Sequence, residues 1–295
     1  TTEIYTLSLH DALPILITDT LGNEMVFSYA EEENRPQYEE RASYLTTIQY
    51  NKRSNGTWGT RIEFERQLRS ASTGFPDRDR NDQNYYLFFQ SYYLSGVKVW
   101  HADTLMREYR FNYTYDTYTR LLSSVVQYGK NGVSGGVAFP PTEFAYTVFN
   151  NTKDEWHGHD YPYSRLTSVE NGYGGDIAVT YQQMTVNDMY GYHYRVQERQ
   201  TADGLGRVSR VVYGYGPSCY DATDTPCDDG FRHWNLKGYE WSIEAVYDYD
   251  EELLHKTRTD YVLAYPLTGR VGKVRILDGA DVVRQSAETS WSYEW

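Results

Sequence analysis

Cysteine is nearly absent from this chain of 295 residues: there are two, against 31 tyrosines. Two thiols cannot build a multi-cysteine zinc cluster or a disulfide-dense scaffold, so the fold has to come from packing. Positive charge is also in deficit. With 28 Lys and Arg against 41 Asp and Glu the formal net charge is −13, which repels phosphate backbones, and no Lys/Arg run offers a local footprint for nucleic acid. DNA and RNA are not expected partners. No apolar stretch approaches the ~20 residues that a membrane-spanning helix needs, and no sustained helical periodicity appears. The chain also lacks a G-x-S-x-G elbow, an H-E-x-x-H pair and a phosphate-cradling P-loop, so neither catalysis nor a cofactor is expected.

What is present is tyrosine, with 40% hydrophobic residues overall. Tyrosine suits pleated, half-buried surfaces, where the ring packs and the hydroxyl reaches water or a neighbour. Alternation with a period of two recurs accordingly. In YLTTIQY, Tyr44, Ile48 and Tyr50 share a face; in TRIEFER, Ile62 and Phe64 alternate with Arg61, Glu63 and Glu65; in EYRFNYTY, Tyr109, Phe111, Tyr113 and Tyr115 alternate with Arg110, Asn112 and Thr114. Further such runs are TEFAYTVF, DIAVTYQ, RVSRVVYGY, YEWSIEAVYDY, HKTRTDYVL and GKVRIL, set apart by Gly, Asn and Asp clusters. The pattern predicts an all-β fold of antiparallel strands. A sugar-binding module, or a glycoside hydrolase with paired carboxylates, is the alternative use of so many rings and acids. Tyrosine spread evenly along the chain favours sheet packing instead.

Three segments align without gaps: Asp19 to Tyr29, Asn171 to Tyr181 and Asp203 to Tyr213. Each begins with Asp or Asn, has Gly three residues on (Gly22, Gly174, Gly206) and ends with Tyr seven residues beyond that Gly. An Asx side chain bonds the backbone just ahead of it, and Gly supplies the positive φ that turns the chain into a new strand. The segments read as a β-hairpin repeat. A fourth stretch, Asp278-Gly279-Ala280-Asp281, lacks both the spaced Gly and the Tyr and reads as degenerate. Repeats of this kind build extended β architectures rather than compact pockets.

The repeat resembles that of the RHS or YD-repeat proteins, which include the B and C components of Tc-type insecticidal toxin complexes. There a D-x-x-G-[RN] turn leads into a strand ending in Tyr, as Asp203 to Tyr213 does. The order of ITDTLGNEMVFSY, YLTTIQY, IEFER, REYRFNYTYD, RLLSSVVQYG, FPPTEFAY, SRLTSVENGYGGDIAVTY and RVQERQTADGLGRVSRVVYGY is similar to the region that leads into the main repeat array. So are LKGYEWSIEAVYDYD and PLTGRVGKVRILD that follow. The resemblance implies extended, curved antiparallel sheets forming part of a spiral shell, secreted or on the surface of a bacterium. Its partners would be the rest of its own chain and an enclosed C-terminal effector. The family's release element, a DPxGxxDG-like stretch, does not occur in the sequence. The expected organisation is a first β unit over 16–150, a linker over 151–163 and a second β unit over 164–295.

Other clusters read plainly. His157, His159 and Asp160 in WHGHD put two imidazoles on one face, but no third ligand stands at a suitable spacing, so the stretch is taken as exposed linker. DRDRND, Asp77 to Asp82, lacks the glycine and terminal glutamate of a calcium loop and reads as solvated. Cys219 and Cys227, with seven residues between them in a polar loop, would close a small disulfide in an exported protein. Near the C-terminus Trp291, Tyr293 and Trp295 alternate on one face, as an uncovered strand edge would.

Residues 1–15, TTEIYTLSLHDALPI, back-translate into an adapter oligonucleotide of short-read sequencing, and they resemble a translated adapter. Such a segment is expected to lie as an irregular or peripherally docked tail. Its deletion should leave the thermal midpoint unchanged; a loss of several degrees in a melting curve would show that it belongs to the fold.

Overall fold

A computed structural model describes residues 3–5, 15–31, 43–68, 92–116, 120–150, 162–185, 192–220, 236–263, 267 and 269–292. The chain divides into two units, 1–144 and 145–295. In the first, the strands are β1 (Glu3–Tyr5), β2 (Leu16–Thr18), β3 (Glu24–Glu31), β4 (Ser43–Lys52), β5 (Trp58–Leu68), β6 (Tyr92–His101), β7 (Thr104–Tyr115), β8 (Arg120–Tyr128) and the start of β9 (Thr142–Asn150). Each pairs antiparallel with the one before it, making a meander. In the second unit β10 (Pro162–Glu170), β11 (Asp176–Thr185), β12 (Tyr192–Ala202), β13 (Val208–Tyr215), β16 (Trp241–Tyr247), β17 (Leu253–Tyr261), β18 (Val271–Leu277) and β19 (Val283–Glu288) pair in that order. β14 (Ser218–Tyr220) and β15 (Leu236–Tyr239) form a separate two-stranded ladder. Among the described residues there is no α-helix, only a 3₁₀ turn at Gly132–Ser134. The all-β antiparallel expectation therefore holds in both units.

Some expectations meet the structure only in part. Of residues 1–15, Glu3–Tyr5 pair with β2 through Glu3↔Thr18 and Tyr5↔Leu16, so these three dock on the first unit as a short strand. Most of the expected linker, 151–161, lies outside the described residues, as do Tyr293 and Trp295. Trp291 is not a bare edge ring: its Nε1–H donates to Val271 O at 2.8 Å, and Arg270 lies over its ring.

Hairpin geometry sorts the connections. In an antiparallel meander alternate connections fall on the same edge, and in the second unit one edge carries the tight turns 171–175, 203–207, 248–252 and 278–282. The opposite edge carries the longer connections. Burial is shallow throughout. Among the described residues the fully buried apolar side chains are Val211, Ala245 and Leu277, and most other strand residues are half-buried on whichever face they occupy. A sheet with two half-wet faces gains little from a conventional core, so its register has to be held by other means.

Register is also broken on a pattern. Ser28 pairs with Thr47 but Tyr29 with Leu45, leaving Thr46 as an extra residue whose hydroxyl donates to Ser28 O at 2.9 Å. Glu65 pairs with Gly96 but Arg66 with Leu94, and the extra Ser95 donates its hydroxyl to Glu65 O at 3.2 Å. Similar shifts fall immediately before Tyr113, Tyr181, Tyr247 and Tyr261. Each bulge bends its strand and raises the local twist.

Two turns of the second unit touch through glycine. Gly174 (φ +89°) and Gly204 (φ +77°) are packed so closely that a Cβ on Gly204 would lie 2.8 Å from the carbonyl carbon of Gly174. Gly22 (φ +80°) has nothing within 4 Å of such a Cβ. Gly22→Ala should then cost only the left-handed backbone term, about 1 to 2 kcal/mol, whereas Gly204→Ala should cost about 3 kcal/mol or more because the turns must also separate. Paired denaturant titrations read the difference; equal losses would mean that the contact between the turns contributes nothing.

Candidate functional site

The sequence nominated turns, and the turns prove to be one structure used five times. At Asp19, the Leu21 and Asn23 N–H groups donate to Oδ1 at 2.8 and 2.9 Å, and Asp19 N–H donates to Asn23 O at 3.0 Å. At Asn171 the donors to Oδ1 are Tyr173 and Gly175, at 2.8 and 3.0 Å, and Asn171 N–H reaches Gly175 O. At Asp203 they are Leu205 and Arg207, at 2.7 and 3.2 Å, and Asp203 N–H reaches Arg207 O. The same set recurs at Asp248, with Asp250 and Glu252 both at 2.9 Å, and at Asp278, with Ala280 and Val282 both at 2.9 Å. One Asx oxygen thus closes each hairpin by accepting the N–H groups two and four residues ahead.

The fourth residue of every such turn has positive φ: Gly22, Gly174 and Gly206, but Glu251 (61°) and Asp281 (62°) in the last two. The stretch at Asp278 is therefore a complete turn and not a degenerate one, because an acidic residue tolerates the left-handed region well enough to replace the glycine. The turn at Asp248 carries no glycine and was missed. An Asp followed three residues later by a polar residue, between two alternating runs, was its available signal. The turn at Arg53–Thr57 has the same backbone closure, Arg53 N–H to Thr57 O at 2.7 Å, with Asn55 as its side-chain acceptor.

The repeat tyrosines are placed less uniformly. Tyr181 donates its hydroxyl to Leu166 O at 2.8 Å, and burial raises its pKa despite the nearby Arg165. Tyr29 follows a bulge. Tyr213 pairs with Glu244, but it is Tyr215, two residues on, that donates to Val196 O at 2.8 Å. Burial, and then the adjacent Tyr239, push Tyr215 up to about 12.

A second recurrent device is arginine laid over tyrosine. Arg66 sits 5.1 Å from the Tyr44 ring and 4.5 Å from that of Tyr92, and those rings meet edge to face at 5.4 Å. Arg120 lies 3.8 Å from Tyr93 and 4.6 Å from Tyr115, while Tyr93 and Tyr113 meet edge to face at 5.2 Å. Arg195 lies 4.6 Å from Tyr215 and 5.4 Å from Tyr239, and Arg210 lies 4.0 Å from Tyr247. These guanidinium groups lie over the ring faces, gaining cation–π energy where, among the described residues, apolar packing is thin.

Charge is organised in the same lateral way. Glu65 bridges Lys98 and Arg110, and Arg110 also reaches Glu108. Glu108 is 2% exposed, and its Oε2 accepts the Val133 N–H at 2.9 Å, which fixes the 3₁₀ turn against β7. A Cβ on Gly132 would meet that oxygen at 2.0 Å, so the glycine is required. Among the described residues no group of His, Cys, Asp and Glu is arranged to hold a metal, and no helix is long and apolar enough to cross a membrane. A shallow, open depression of about 300 Å³ is lined by residues 22–24 and 51–54. Its Lys52 is already engaged by Glu24 at 2.9 Å and lies over Trp58. His157, His159, Asp160, the stretch 77–82 and Cys227 lie outside the described residues; Cys219 is in β14, opposite Gly238.

The features define a class: an antiparallel hairpin sheet stitched by Asx turns and arginine–tyrosine stacks. No family model matches the sequence, and no curated protein matches it. Solved structures of a Tc toxin do share the fold. The crystal structure of TcdB2-TccC3 is similar over 94% of this chain and 34% of that chain, with TM-score 0.60 and 8% identity. TcdB2-TccC3 without its hypervariable C-terminal region is similar over 90% of this chain and 32% of that one, with TM-score 0.57 and 7% identity. At such identities the likeness is one of fold, and the chain spans about a third of the length of those chains.

The turn carboxylates set an acid limit. Hydrogen bonds from Asn23, by side chain and then by backbone, hold Asp19 below its ordinary value of 3.8, and backbone donors do the same for Asp203 and Asp278. A depressed folded pKa stabilises the fold above the ordinary value, and that contribution is lost as pH falls through the folded one. Asp19→Asn keeps the acceptor without the titration, so it should flatten the acid limb of a plot of melting temperature against pH; an unaltered limb would remove Asp19 from the acid response.

Proposed function

We propose that this chain is a wall segment of an RHS/YD-repeat shell that encloses or presents a C-terminal toxin or effector, itself non-catalytic and secreted or displayed at a bacterial surface. The observation that carries the reading is the fold likeness to TcdB2-TccC3, which spans nearly all of this chain but a third of its counterpart. A part matched so completely within a larger chain reads as a section of a continuous wall. Its physical character agrees. The sheet is held by lateral turn, ion-pair and stacking contacts and has half-buried faces, as a wall must if its surfaces face solvent or cargo.

The carbohydrate reading would need open ring faces. The rings of Tyr44, Tyr92, Tyr93, Tyr115, Tyr215 and Tyr247 instead carry a guanidinium, which occupies the face a sugar would stack on. That favours the wall.

The test uses the complete parent chain. Its region C-terminal to the wall should resist limited proteolysis while the wall is intact, and become susceptible when Gly204→Val opens the turn edge. A C-terminal region digested as fast in the intact parent as in isolation would overturn the encapsulation reading, and specific glycan binding by the segment would favour the sugar-binding alternative.

A further inference from the structure

Four of the five full Asx turns begin with aspartate, and the remaining one begins with asparagine followed by glycine, Asn171-Gly172. We propose that Asn171 is a site of spontaneous deamidation, promoted by its own turn, which converts this turn to the aspartate form of the others. The chain has three Asn-Gly pairs, Asn55-Gly56, Asn131-Gly132 and Asn171-Gly172, so the local sequence chemistry is shared and the surroundings decide.

The reaction needs a nucleophilic backbone nitrogen after the asparagine and stabilisation of the charge that develops on Oδ1. At Asn171 both are in place. The Tyr173 and Gly175 N–H groups point at Oδ1 from 2.8 and 3.0 Å, an arrangement equivalent to an oxyanion hole. Among the described residues the Gly172 N–H makes no backbone hydrogen bond, and Gly172 has φ +72°. The other two pairs differ at the nucleophile. Gly56 N–H is committed to Arg53 O at 2.9 Å and Gly132 N–H to Gly129 O at 3.0 Å. Asn131 makes no side-chain capping bond either.

The step balances as follows. Gly172 N gives its proton to solvent base and its lone pair forms a bond to Asn171 Cγ, while the carbonyl π pair moves to Oδ1 under the two N–H groups. That pair returns, the Cγ–Nδ2 bond breaks, and the nitrogen leaves as ammonia with a proton taken from water. The product is a succinimide. Water then adds to one ring carbonyl. Opening at Cγ restores the main chain with an aspartate, and opening at the Asn171 carbonyl carbon diverts it through the side chain as isoaspartate; in either case the ring nitrogen regains a proton and a carboxylate results. Aspartate refits the turn, since Asp203 makes the same bonds next door and they hold its carboxyl below the ordinary range.

Incubation of the folded chain at mildly alkaline pH, followed by peptide mass spectrometry with isoaspartate detection, tests the proposal. Asn171 should gain one mass unit at least about tenfold faster than Asn55 and Asn131, a barrier difference of about 1.4 kcal/mol. In concentrated urea the three rates should converge. Equal rates in the folded chain, or a faster Asn55 or Asn131, would overturn the proposal. So would an Asn171 that remains fastest in urea, because the cause would then be the local sequence and not the turn. Asn171→Asp should melt no lower than the parent, and a lower midpoint would overturn the claim that the aspartate form fits.

Discussion

The hydrogen bonds from two backbone N–H groups to one Asx oxygen are what the sheet depends on. A strand hairpin closed by backbone bonds alone fixes only the two ends of its loop, whereas the side-chain oxygen also ties down the middle, so loop length and therefore register become unique. In a sheet with a thick core, a slip in register would be penalised by the core itself. Here three apolar side chains are fully buried among the described residues, and the penalty has to sit in the turns. That the same five-residue closure is used at Asp19, Asn171, Asp203, Asp248 and Asp278 follows from this need.

Lateral bracing supplies the rest. Neighbouring turns are joined at their flanks, Arg210 to Glu251 at 2.6 Å and Lys256 to Asp281 at 2.8 Å, and by Arg207 over Tyr249. Each exposed pair is weak on its own, about 0 to 1 kcal/mol. Arginine on tyrosine contributes more steadily because the stem also covers apolar surface that the sheet leaves open. The high tyrosine count thus has a structural use that needs no ligand: the ring is wide enough to span neighbouring strands, and its hydroxyl reaches a backbone carbonyl, as Tyr113 does to Leu94 O, Tyr181 to Leu166 O and Tyr215 to Val196 O.

The sequence made the strands legible where one face was consistently apolar, as in β4, β5, β7 and β11. It was nearly silent about β12 and β19. Tyr192–Ala202 alternates weakly because its half-buried face includes Glu198, and Val283–Glu288 is exposed at every position, where a strand wetted on both faces has no reason to alternate. The turns were legible where glycine held the left-handed position, read as degenerate where Asp281 did, and invisible where Glu251 did. The buried Glu108 was equally hidden. Nothing local distinguishes it from Glu63 or Glu65, and its burial comes from a turn more than twenty residues later that folds back onto β7.

Curvature joins these elements to the proposed role. A regular antiparallel meander twists but does not by itself bend sharply, and bending requires extra residues on selected strands. Register shifts fall immediately before Tyr29, Tyr113, Tyr181, Tyr247 and Tyr261, and also before Arg66, Trp100, Tyr220 and Leu277. A tyrosine beside such a shift also ties down the strand on its other side: the Tyr181 hydroxyl takes Leu166 O of β10 while the shift lies between β11 and β12, and the Tyr113 hydroxyl takes Leu94 O of β6 while the shift lies between β7 and β8. An Asx turn sets where a hairpin begins, and the tyrosine at its far end coincides with a bend in two of the three repeats recognised from sequence. A repeat built in this way specifies both the length and the local bend of each strand pair, and those two quantities have to be repeated along the chain for a sheet to form a wall.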